Sequence, residues 1–165
     1  LNCFNLSAQK KDYVIFQNEE ANLLFLRAQD LKTDNKDVEI AADFTVILKK
    51  NNDPDSVRMN FTLFAPEPVL NWNSITVKNN DSAYQCIPIE RVFQEKVKKN
   101  WQNRFQVMMP IRVFQQFLQD QSTGPEKKSV LIFNYDRQII NSQFKENERE
   151  LLQEFYMQVL LDSKN

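Results

Sequence analysis

Twenty-seven residues in the first half of the chain constrain the fold more than any others. In VEIAADFTVIL, Val38, Ile40, Ala42, Phe44, Val46 and Leu48 alternate with Glu39, Ala41, Asp43, Thr45 and Ile47. In VRMNFTLF, Val57, Met59, Phe61 and Leu63 alternate with Arg58, Asn60 and Thr62. Successive side chains of a strand point to opposite faces, so this two-residue period describes a sheet with one dry face. Between the runs, KKNNDPDS is turn chemistry, with a proline that cannot continue a hydrogen-bonded ladder. Two such runs are antiparallel neighbours. The dry face then needs a cover, and the rest of the chain must supply it.

Further strands are predicted at Tyr13 to Phe16, Leu23 to Leu31 and Ile75 to Lys78, and within the buried run SVLIFNY, with RQII returning from it. Trp101, Phe105, Val107 and Met109 mostly alternate with Gln102, Arg104 and Gln106, another strand. Residues 87–97 fit a strand or a helix after Pro88; a strand is preferred, because KKN would then close a second hairpin. PIERVFQ at 88–94 is echoed by PIRVFQ at 110–115, but the flanking residues do not match, which argues against a duplication. The second copy continues with Phe114, Phe117 and Leu118 at helical spacing, which predicts a short helix near 111–120. Near the C-terminus, Leu151, Leu152, Phe155, Tyr156, Val159 and Leu160 form one apolar stripe, with Gln153, Glu154, Gln158 and Asp162 opposite. Asn147 followed by Glu150 suggests a capping box at its start. A helix of that length is marginal alone, so the stripe should dock on the sheet. The expected class is mainly β (α+β): an antiparallel β-sandwich or open barrel, with the short helix and a C-terminal amphipathic helix packed on the sheet.

Composition narrows function mostly by exclusion. With 165 residues, 42% of them hydrophobic, there is material for one well-filled core. Lys and Arg number 21 against 22 Asp and Glu, a balance that argues against a protein built to hold nucleic acid. KVKKNWQNR at 96–104 interleaves basic residues with Trp101, but reads better as a hairpin tip whose Trp packs into the core. The chain has no His, so imidazole chemistry is excluded. Gly124 is its one glycine, so no phosphate-cradling loop can be written and turns must rely on Asn, Asp, Ser and Pro. Asn51, Asp53 and Asp55 have the spacing that opens a calcium loop, yet Ser56 replaces the sixth-position Gly and Thr62 the twelfth-position Glu. Carboxylates such as Asp43, Glu90 and Glu95 read as solvated surface charge. No cofactor, metal ligand or catalytic residue is identified, and no apolar run reaches the about 18 residues of a membrane helix.

The chain opens LNCFNLSAQ, an apolar stretch before Lys10 and Lys11. LSAQ resembles the cleavage region of exported proteins of Gram-negative bacteria, which would make residues 1–9 the remnant of an export signal and 10–165 a single domain. Alternatives are a first strand or tail, and lipidation at Cys3, against which stands the large Asn2 preceding it. The other cysteine, Cys86, lies in AYQCIPI, whose neighbours suit a buried, inert thiol. By alternation Ile47 and Phe64 point away from the main core, and with Trp72 they could form a partner surface unless a second sheet covers them. The preferred reading is therefore an exported, periplasmic or extracellular, non-enzymatic domain binding another protein or an envelope component. A lipocalin-like carrier of a small apolar ligand has the same broad plan of barrel plus helix. A hydrolase using carboxylates alone would need two acids in one cleft.

Overall fold

The computed structural model describes residues 5–9, 12–17, 19–50, 55–122 and 129–162. The two alternating runs form β4 (Glu39–Lys49) and β5 (Ser56–Ala65), antiparallel, with Phe44 opposite Met59 and Asp43 opposite Asn60. Every apolar residue from Ile40 to Leu48 and from Val57 to Leu63 that the alternation assigns inward is buried. Around this pair lie β1 (Asn5–Gln9), β2 (Tyr13–Gln17), β3 (Ala21–Thr33), β6 (Trp72–Lys78), β7 (Ala83–Cys86), β8 (Glu90–Val97), β9 (Asn100–Pro110), β10 (Val130–Tyr135) and β11 (Gln138–Phe144). They make one sheet, ordered β7-β6-β10-β11-β3-β4-β5-β9-β8, with antiparallel pairing throughout the described residues. β3 shares its far edge between β2, along Asn22 to Leu26, and β11, along Leu31 to Thr33. A register shift between Leu26 and Gln29 lets β3 bend between these partners.

The sheet curls into a half-barrel. Phe61 of β5 lies 5.4 Å from Trp72 of β6 and 5.0 Å from Phe133 of β10, although several strands separate them along the sheet. The chain runs from one end strand, β7, to the other, β8, through residues 87–89, where the Ile87–Pro88 bond is cis. Of the two architectures the alternation allows, the structure is the open barrel. Among the described residues there is no second sheet over the convex face; cover comes from helices on the concave side.

Those helices are α1 (Ile111–Ser122) and α2 (Arg149–Asp162), the latter preceded by a 3-10 turn at Glu146–Glu148. Phe114 of α1 stacks on Phe44 at 4.8 Å, Phe117 meets Phe144 at 5.8 Å, and Phe155 of α2 meets Tyr13 at 5.7 Å. Leu152, Phe155 and Val159 are buried, so the C-terminal stripe docks as its periodicity requires. Its start differs from expectation: Asn147 sits inside the 3-10 turn, because the chain leaving β11 tightens one turn before α2 begins. β8 is a strand, and its hairpin turn at Lys98 and Lys99 joins Val97 to Asn100. Lys98 takes φ 57° there, the left-handed conformation that a glycine would adopt more easily. Trp101 is half-buried at the rim opposite Ala65 rather than packed into the core.

Candidate functional site

At one end of the half-barrel the strands give way to three connections. They are the β3–β4 turn, the loop of residues 66–71 after β5, and the β10–β11 turn. Lacking glycine, the first relies on Asn35, whose Oδ1 accepts the Asp37 N–H at 2.9 Å. Thr33 Oγ1 lies 2.8 Å from the Asn35 carbonyl and 3.0 Å from that of Val38, tying the turn to its own strands. The third is a two-residue turn in which Asp136 (φ 42°) and Arg137 (φ 67°) are both left-handed. That is the primed geometry that matches strand twist, made here without glycine.

Asp136 offsets the conformational cost by organising its neighbour. Its carboxylate accepts the N–H groups of Leu70 at 2.7 Å and Asn71 at 2.8 Å, and its own N–H donates to the Asn71 carbonyl at 3.0 Å. The loop is fixed from its other side by Asn103 of β9, fully buried, whose Oδ1 accepts the Val69 N–H at 3.1 Å. Gln94 Nε2 donates to the Val69 carbonyl at 2.9 Å. Pro66 and Pro68 have no N–H and so ask for no acceptor in this loop.

These connections enclose a pocket of about 190 Å³. Buried Val38, Ala65 and Tyr135 line it, and so do Asp37, Glu67 and Asp136; no Lys or Arg is among its lining residues. Beside it, a groove of about 600 Å³ shares Glu67 and Asp136 and extends past Leu70 to Arg137. Tyr135 is 2% exposed, and its hydroxyl has no hydrogen-bond partner among the described residues. Burial, and then the charge of Asp136, push that hydroxyl up to about 12, so it stays protonated at neutral pH. A buried hydroxyl without a partner costs about 1–3 kcal/mol and calls for an explanation, commonly a ligand or water that completes it. Among the described residues no three His, Cys, Asp or Glu converge closely enough to hold a metal ion.

The surface residues read from the sequence do not meet here. Trp72 turns into the barrel, with its ring 4.9 Å from Phe105, 5.4 Å from Phe61 and 5.1 Å from Tyr135. Ile47 and Phe64 are half-buried on the convex face, as alternation requires. They lie at opposite ends of the β4–β5 pair, because Phe64 faces Glu39 while Ile47 faces Ser56. Ile47 lies eight steps along the strand from Glu39, about 27 Å at about 3.4 Å per residue. Phe64, next to Ala65, is the one near the pocket. Asp43 is also placed differently from the solvated charge expected. It is buried on the convex face, where its Oδ2 takes Arg104 Nη2 at 2.6 Å and its Oδ1 takes Asn60 Nδ2 at 2.9 Å. Arg104 also reaches the Thr62 hydroxyl at 2.8 Å, so the charge sits in a cross-strand network. Glu90 and Glu95 are exposed.

The calcium-like spacing falls largely on residues 51–54, outside the described residues. Its last member, Asp55, accepts the Lys49 N–H at 2.9 Å through Oδ1, a turn contact. Among the described residues Cys86 is a free thiol, fully buried, and desolvation pushes it up to about 12. Tyr135 and Asp136 were not singled out by sequence reasoning. The signal available was the pair Asp-Arg between two apolar strands of a chain with one glycine. No helix among the described residues is long and apolar enough to cross a membrane. No family model, curated protein or solved structure matches the chain.

Proposed function

We propose that this is a non-enzymatic binding domain that works through the pocket end of its half-barrel. The observation that carries this reading is the contrast between interior and end. In the space where a carrier would hold an apolar ligand, Phe61 and Trp72 are in ring contact with each other and each with Phe105 and Phe133. At the end of that space, the loop of residues 66–71, tied down by Asp136 and Asn103, borders a pocket lined by Asp37, Glu67 and Tyr135. Against hydrolysis, Asp136 has both carboxylate oxygens committed to backbone N–H groups. Asp37 and Glu67 are exposed, without the apolar setting that makes a carboxyl a general acid. The partner would be another protein or a cell-envelope component.

The test is organic extraction of the purified full chain, followed by mass spectrometry. The expected result is no stoichiometric apolar molecule. Recovery of one fatty acid or lipid per chain would overturn the reading in favour of a carrier.

Export is part of the same proposal, supported by the apolar start before Lys10 and Lys11. The pairing of Asn5–Gln9 along β2 bears on its form. Cleavage after Ala8 would remove four of the five residues of β1, whereas lipidation at Cys3 would leave that strand in the sheet. The mass of the chain recovered from cell fractions separates the two. An unprocessed chain confined to the cytoplasm would count against export altogether.

A further inference from the structure

We infer that the free edge of β7, with the groove between it and α1, takes up an extended acidic segment of a partner protein as an added strand. This surface lies at the far end of β6 from the pocket, so the inference goes beyond the binding reading and does not rest on it. The backbone comes first. Asn79 N–H donates to the Ser82 carbonyl at 2.9 Å, which makes those two the hydrogen-bonded kind of pair in an antiparallel ladder. Along the same register Val77–Tyr84 and Ile75–Cys86 are of that kind, and Lys78–Ala83 and Thr76–Gln85 are not. Ala83 and Gln85 therefore turn their N–H and C=O groups away from β6, toward an edge that no described strand covers. The opposite end strand, β8, is blunted by charges and a register shift, whereas β7 (AYQC) is uncharged and in unbroken register.

The side chains are a separate support. Tyr84 shares a face with its partner Val77, and a groove of about 330 Å³ lies between these two and Val113 and Phe117 of α1. An added strand runs about 4.8 Å from its neighbour, so the guest residue opposite Tyr84 points into the groove, where an apolar side chain fits. Arg112 is the one charged residue among the described residues lining it, exposed and without an ion pair among them. A carboxylate on the guest meets its complement there. A second copy pairing β7 to β7 fits less well, because the two-fold axis would bring two Arg112 side chains to one groove.

The experiment is an NMR titration of the isotopically labelled full chain, following the backbone N–H groups of Ala83 and Gln85. The probes are capped heptapeptides of alternating Val and Thr, identical except for one Glu, Gln or Lys near the middle. Saturable shifts are expected with the Glu peptide, weaker binding with Gln and weakest with Lys. Arg112→Glu should weaken the Glu peptide by about tenfold, as attraction becomes repulsion, and reverse the preference for Lys. Gln85→Pro removes an outward N–H and no bond to β6, so it should abolish binding with the melting temperature little changed. On the parent chain, N-methylating the Glu peptide at one set of alternate residues should abolish binding, and at the other set should not. That asymmetry tests strand addition even if Gln85→Pro fails to fold. No saturable shift with the Glu peptide, equal response to Lys, or equal effects of the two N-methylation patterns would overturn the inference. So would concentration-dependent shifts at Ala83 and Gln85 without peptide, with a dimer mass by sedimentation, which would assign the edge to a second copy.

Discussion

PIERVFQ at 88–94 and PIRVFQ at 110–115 differ by one glutamate, yet one is an edge strand and the other a buried helix. In β8, Val92 is 53% exposed and Phe93 is 36% exposed, on a strand paired along one side only among the described residues. In α1, Phe114 is fully buried, stacked on Phe44 and edge-on to Phe155 at 6.5 Å. Local propensity cannot produce that split, because the residues are the same. The downstream neighbours of each string decide it. After the first comes Glu95 to Lys99, which offers no continuing apolar stripe but does form a tight turn onto β9. After the second come Phe117 and Leu118, three and four residues beyond Phe114, which extend a helical face onto the concave sheet.

β8 also shows how an edge is kept from pairing with strangers. It carries a register shift between Arg91 and Phe93, and the charges Glu90, Arg91, Glu95 and Lys96. Its inward residues serve the neighbouring loop instead: Gln94 and Arg91 both donate to the Val69 carbonyl. The strand that looks least involved in the core therefore helps hold the wall of the pocket.

The comparison can be broken most sharply by making the two strings identical. Inserting Glu between Ile111 and Arg112 rotates Phe114, Phe117 and Leu118 by about 100° around the helix. Urea denaturation should show a loss above about 5 kcal/mol, enough to unfold a domain of ordinary stability. A loss under about 1 kcal/mol would mean that the helix does not depend on its seat. Next, Phe114→Ala should cost about 3–5 kcal/mol, from lost burial and the cavity left against Phe44. If it costs no more than Phe93→Ala, the contrast in burial has no energetic meaning.

A third effect lies at the junction between buried and exposed chain. Cys86 is the last buried residue before β8, and its thiol is held neutral in the folded state, at about 12. The unfolded thiol ionises near its ordinary value of 9.0, so between those values the unfolded chain binds fewer protons. Stability is thus fully present below pH 9 and falls as pH rises, by up to about 1.4 kcal/mol per pH unit for this group. Cys86→Ala should flatten that slope in urea melts taken from pH 8 to pH 11; an unchanged slope would remove the thiol from the account. Smallest is Phe93→Ala, expected within about 0.5 kcal/mol of the parent because its ring already meets solvent.

Much of the fold was legible in the sequence. The β4–β5 hairpin, the strand at 100–110, the helix after Pro110 and the docked C-terminal helix all follow from periodicity, since one buried face imposes a repeat of two or of 3.6 residues. Short β7 was missed because four residues, AYQC, give no period to read. The candidate site was not legible. Val38, Ala65, Tyr135, Asp37 and Glu67 are scattered along the chain and belong to no motif. Trp72 read as part of a partner surface with Ile47 and Phe64, although its ring is held inside by Phe61 and Phe105.

By itself, the sequence determined which residues need a cover and which need water, because those demands travel with each side chain and repeat along an element. It also required turns without glycine, met by Asn35, Asn79, Lys98 and the pair Asp136–Arg137. Only the tertiary structure decided that a single sheet would curl on itself, which of two near-copies would become the helix, and that a tyrosine hydroxyl would be left uncompleted beside carboxylates. Those outcomes depend on contacts between residues far apart in the chain, and pair energies of that kind are written in no local pattern.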